Sequence, residues 1–134
     1  MKTLLASVLL VVSFSFDSLA QTKSEDFNSF IFEFSTDSVF QISRIHFPLE
    51  KITITNDLID DTSSTIQKSD WKHSYLFINS SSRTQIYDNF EKKLSDTDER
   101  ILSFLGIENG LQVYYFFKRL SGKWFLVKIE DLST

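Results

Sequence analysis

The apolar positions of the chain change period along its length. Phe27, Phe30, Ile31 and Phe34 recur at i, i+3, i+4 and i+7, one stripe of a helix. Ser24, with Glu25 and Asp26 behind it, supplies a cap and charges suited to a helix N-terminus. Ser35-Thr36-Asp37 then breaks the stripe and offers a second N-cap. The helical stretch Ser24–Arg44 therefore divides, and a short second helix is expected to turn Val39, Phe40 and Ile42 inward. Pro48 forbids helix and holds Phe47 extended.

Beyond it the period falls to two. Ile52-Thr53-Ile54-Thr55 alternates as a half-buried strand does. Asn56 to Asp70 is rich in Asp, Ser and Thr, a loop with one helical turn and only Leu58, Ile59 and Ile66 to anchor it. Aromatic density returns at Trp71 to Ile78, read as a strand, and Ser80 to Ser82 is loop. Ile86 to Leu105 stays open: Ile86, Phe90 and Leu94 fit a helix, whereas the turn at Asn109-Gly110 needs a strand before it and favours strand for Ile101 to Glu108.

The last third is the stretch around which the rest is organised. Asn109-Gly110 suits the two positive φ angles of a type I′ turn, and Gly122 in Ser121-Gly122-Lys123 suits αL. Two strands follow these turns, Leu111 to Leu120 and Trp124 to Glu130. Strict alternation along the second puts Phe125, Val127 and Ile129 on one face, and Trp124, Leu126, Lys128 and Glu130 on the other. One of these faces is the core, and the other is a candidate for a partner or a homodimer formed through the sheet. The pattern as a whole is α+β, with N-terminal helices packed on a bent antiparallel sheet.

The first 20 residues follow none of this. Lys2 precedes an apolar run, Leu4 to Phe16, and Ser18-Leu19-Ala20 sets small residues before a cut between Ala20 and Gln21. The run is too short for a bilayer span, which takes about 20 residues. Met1 to Ala20 is read as a cleaved signal peptide, leaving residues 21–134 as one domain with no membrane anchor, exported to the periplasm or beyond.

Composition then narrows the chemistry. The 134 residues include no cysteine, which removes disulfides, thiolate metal sites and thiol nucleophiles together. The net charge is −4, with no basic block to neutralise phosphates, so nucleic acid is not an expected partner. The three glycines, Gly106, Gly110 and Gly122, all fall late, so no phosphate-cradling loop or nucleophile elbow can be written. His46 and His73 are the only histidines, and neither has a second ligand at helical spacing. No metal and no cofactor are expected.

The run Phe-x-Phe-Ser-x-Asp-x-x-Phe-Gln-x-x-Arg-Ile-x-Phe-Pro-Leu, Phe32 to Leu49, resembles one exported family from Bacteroides-type bacteria, domain of unknown function 4348. Trp71 and the closing Tyr-x-Phe-x-Lys-Arg-x-x-Gly-Lys-Trp-x-Leu-x-x-Ile, Tyr114 to Ile129, strengthen the likeness. The closing hairpin is also similar to the end of nuclear-transport-factor-two-like (cystatin-like) domains. The resemblance implies an α+β cone of helices wrapped by a bent sheet and carries no catalytic signature. Members of the family are often lipoproteins, and the absence of cysteine departs from that pattern.

Such cones enclose apolar cavities with a few polar groups inside. Arg44 and His46 at the helix-to-strand handover, Trp71, His73 and Tyr75 on one strand face, and Tyr114 on the hairpin are the candidate ligand-binding residues. The competing reading makes them core and rim side chains, with buried bodies and exposed tips. Three functions follow. The favoured one is a non-catalytic domain binding a small molecule or a protein. The others are a small isomerase- or cyclase-like enzyme using His73 or His46 as acid/base, for which no carboxylate partner is evident, and a structural envelope protein.

Overall fold

The computed structural model describes residues 23–55, 61–93 and 95–134. The proposed signal peptide with its Ala20–Gln21 cleavage site, the anchors Leu58 and Ile59, and Leu94 lie outside the described residues. The first helix, α1, spans Phe27–Thr36 and the second, α2, Ser38–Ser43. The cap of α1 is Asp26 rather than Ser24, its carboxylate accepting the Ser29 amide at 2.9 Å. Asp37 caps α2, accepting the amides of Val39 and Phe40 at 2.8 and 2.9 Å. The break expected at Ser35-Thr36-Asp37 is there. The inward set of α2 differs from expectation: Val39 is 74% exposed, and the buried residue is Gln41.

Among the described residues six strands follow: β1 Ile45–Thr53, β2 Thr62–Ile66, β3 Ser82–Tyr87, β4 Glu99–Gly106, β5 Gln112–Leu120 and β6 Lys123–Asp131, with a 3₁₀ turn at Lys68–Asp70. They form one sheet in the order β2-β1-β6-β5-β4-β3. The α+β class holds. The pairings are antiparallel apart from β1 with β6, which is parallel. The open region resolves as strand β3, an irregular loop, and strand β4.

The helices cover one face. Phe27, Phe30 and Phe34 of α1 set their rings edge-on against Phe117, with centroids 5.5, 5.6 and 5.4 Å away. Each such contact adds about 0.5–1.5 kcal/mol beyond burial. Trp124 and Leu126 are fully buried beside them, and Ile129 is buried on the same face. This corrects the strict alternation. The β5–β6 register slips between Phe116–Lys128 and Phe117–Leu126, so Val127 is a bulge and the faces exchange after it. Phe125 is only half-buried, on the outer face.

Three local expectations change. Trp71–Ile78 is not a strand; it runs as an irregular strap before β3, meeting it only at the Asn79–Ser82 bridge. The β4–β5 connection puts Glu108 and Gly110, not Asn109, at positive φ (58° and 71°). Asn109 instead accepts the Leu111 amide through its side chain at 3.2 Å. In the β5–β6 turn Ser121 and Gly122 both have positive φ (49° and 79°), so the two-residue I′ geometry belongs here. A Cβ on Gly122 would meet nothing within 4 Å. Gly122→Val is therefore expected to cost about 1–3 kcal/mol, through backbone strain alone. Thermal melts check this, with Gly122→Asn losing less because asparagine tolerates αL.

Candidate functional site

One buried amide organises the site. Gln41 has no exposed surface, and its side chain behaves like an extra peptide group. Its Nε2 donates to the carbonyls of Phe34 and Ser74 at 2.7 and 2.8 Å. Its Oε1 accepts the Ser74 amide at 2.9 Å and Trp71 Nε1 at 3.0 Å. Gln41 thus ties the strap to α1 at two residues, Trp71 and Ser74. Past that tie Leu76 buries itself in the core, while the strap and β3 diverge.

The divergence leaves an apolar groove of ≈ 420 Å³. Its floor is the flank of α1 beside the core stripe, Asn28, Ile31, Phe32 and Ser35. Leu76 to Ile78 of the strap form one wall, and Thr84 and Ile86 of β3, with Leu102 of β4, form the other. Phe32 and Phe77 touch rings at the mouth, 6.1 Å apart, and Phe32, Phe77, Ile78 and Ile86 are large apolar side chains left exposed there. No lining residue is charged. Ser35 is 1% exposed, and its Oγ has no hydrogen-bond partner. A helical serine ordinarily returns its hydroxyl to the preceding turn, as Thr36 does to the Phe32 carbonyl at 2.8 Å. Sequence reasoning missed Ser35 and Gln41; the signal for the groove was a second stripe, Asn28-Ile31-Phe32-Ser35, flanking the aromatic one.

The six candidate residues do not share this groove. Trp71 packs edge-on against Phe47 at 6.3 Å and borders a smaller pocket crossed by the Lys51–Asp131 ion pair. His73 lies against the exposed Tyr75, the rings tilted by 52° with centroids 4.4 Å apart, and its buried Nε2 has no partner. His46 is exposed beside a depression lined by Leu120 and Phe125. Tyr114 lies on the outer sheet face, under the Lys92 ammonium at 4.6 Å, its hydroxyl accepting from Gln112 Nε2 at 2.9 Å. The same face, the candidate for self-association, is partly covered by Phe90, whose ring meets Phe116 at 5.1 Å. Among the described residues no ion pair involves a histidine, and no group of three His, Asp or Glu is arranged to hold a metal.

Arg44 serves a clamp. Its guanidinium meets Glu25 twice, at 2.8 and 2.9 Å, and lies 4.7 Å over the Phe40 ring. Glu25 also accepts the Trp124 amide at 2.8 Å, and its carbonyl accepts Trp124 Nε1 at 2.9 Å. Burial alone would raise the Glu25 pKa, but the bonds from Arg44 and the Trp124 amide outweigh it and hold the carboxyl below its ordinary range. A carboxyl lowered in the native state stabilises the fold above its unfolded pKa and loses that contribution as pH falls through the native value. Melting temperature should therefore drop in the acid range below about pH 4, and drop less in Glu25→Gln. Parallel pH series of melts on the two proteins check this.

A solved NTF2-like protein from Bacteroides fragilis is similar over 83% of this chain at 28% identity, with a TM-score of 0.59. The chain spans about half of that protein, 48%. A cystatin-like protein from Bacteroides caccae is similar over 81% of this chain and 77% of its own, at 20% identity and a TM-score of 0.53. A Bacteroides uniformis protein is similar over 80% and 76%, at 18% identity and a TM-score of 0.52. No curated protein matches. These likenesses carry the NTF2-like fold. The domain of unknown function DUF4348 matches residues 9–95, a span holding both helices, the strap and β1 to β3. The chain belongs to that family of domains of unknown function.

Proposed function

We propose that this is an exported, non-catalytic domain whose task is to bind a small apolar ligand in the groove between α1, the strap and β3. The observation that carries the reading is the groove itself: ≈ 420 Å³, lined mainly by aliphatic and aromatic side chains, and ending on a buried hydroxyl without a partner. Monomeric proteins rarely leave several large apolar side chains exposed around one cleft unless something covers them. The acid/base alternative lacks its second group, because neither histidine is in an ion pair with a carboxylate among the described residues. Export rests on Met1 to Ala20, with its apolar run and the small residues before Gln21.

Two measurements test this. A neutral apolar fluorophore, N-phenyl-1-naphthylamine, titrated into the mature protein should saturate, and Ile86→Asp, which sets a charge on the groove wall, should abolish that binding without lowering the melting temperature. Unaltered binding in the variant would place the ligand elsewhere. Mass spectrometry of exported protein should find an N-terminus at Gln21, and an intact Met1 in a membrane fraction would overturn export.

A further inference from the structure

The groove's chemistry narrows its ligand further, on the reading that it binds one at all. We infer that the ligand is an uncharged amphiphile: an extended apolar chain bearing one hydroxyl or carbonyl group, which meets Ser35 Oγ at the helix floor.

Two independent observations lead there. The first is charge. The ten groove residues include no Lys, Arg, Asp, Glu or His, so an ionised head group entering the groove finds nothing to pair with. Burying an unpaired charge is far more costly than burying a neutral polar group. A fatty carboxylate or an alkyl ammonium is thereby disfavoured against the matching alcohol. The polar groups are neutral and few: Asn28, Ser35 and Thr84.

The second is Ser35. Ser35 lines the groove while only 1% exposed, and its hydroxyl bonds to no neighbour. Buried polar groups nearly always find partners, so an orphan marks a cost retained in the unliganded fold. The hydroxyl both donates and accepts, and a ligand hydroxyl or carbonyl can satisfy it. The remaining wall is supplied by Ile31, Leu76, Ile78 and Leu102, together with the two phenylalanine rings at the mouth, surfaces suited to an alkyl chain.

The probes are 1-decanol, decanoate and decylamine at neutral pH, each displacing N-phenyl-1-naphthylamine from the mature protein. Decanol should displace at concentrations at least tenfold lower than either charged analogue. Ser35→Ala should weaken decanol about 5- to 10-fold, the worth of one net hydrogen bond. The same variant should melt at the same temperature or higher, since it deletes an unsatisfied buried group. A hydroxyl needed only for the fold would instead lower the melting temperature. Fluorophore binding with no preference for decanol, or decanol binding indifferent to Ser35→Ala, would overturn the ligand class and leave the groove standing. Failure of the fluorophore itself to bind would overturn both.

Discussion

Trp124→Ala is expected to cost about 3–5 kcal/mol, lowering the melting temperature by about 10–20 °C in a domain of this size. Phe125→Ala should lose only about 1 kcal/mol. The two side chains are neighbours in sequence and opposites in environment. Trp124 has no exposed surface, meets Phe27 edge-on at 5.1 Å, and lies between the Arg100 and Arg119 guanidinium groups at 5.1 and 5.0 Å. Its indole N–H is spent on the Glu25 carbonyl, so truncation removes packing and also a fastening of the chain before α1. Phe125 is half-buried on the outer face, where the Arg44 guanidinium sits 5.6 Å from its ring. A pair of melts decides the matter. Equal mild losses contradict a one-sided core, and equal severe losses show both faces to be buried within the monomer.

Gln41→Leu should be the next most damaging change, at about 2–4 kcal/mol. Leucine fills nearly the same volume but leaves the Phe34 carbonyl, both backbone groups of Ser74 and Trp71 Nε1 without their partner. The strap then keeps only apolar contacts, chiefly Leu76 and the Trp71 ring, to hold it against the core. Hydrogen exchange should show the Ser74 amide losing protection while the β5 and β6 amides keep most of theirs. A still-protected Ser74 would mean that the strap is fastened elsewhere.

The elements that were legible in the sequence are those whose signals are local. The Phe27–Phe34 stripe, the break at Asp37 and the two closing strands each announce themselves within a few residues, through 3.6- or 2-residue periods and capping chemistry. What was hidden depends on partners far along the chain. The bulge at Val127 arises from a slip against Phe116 and Phe117, and one extra residue was enough to move Ile129 to the face of Trp124. Trp71–Ile78 has the composition of a strand, but its hydrogen-bonding neighbour is a glutamine side chain 33 residues away. Arg44 reads as a candidate ligand-binding residue until Glu25, 19 residues earlier, is seen to meet it. The candidate site suffered most. Aromatic and histidine residues draw the eye, whereas the groove is made of ordinary aliphatic positions and one serine.

The order of the sheet bears on how the molecule is made. β6 is the last of the six strands to leave the ribosome, yet it lies between β1 and β5. β1 has no long partner until residues as far as Asp131 have been synthesised, and the Glu25 clamp waits for Gly122 and Trp124. The nascent chain consequently cannot complete its core until β6 has been made, because Trp124, Leu126 and Ile129 all belong to it. Folding becomes a single closing event, governed by long-range pairing and correspondingly slow.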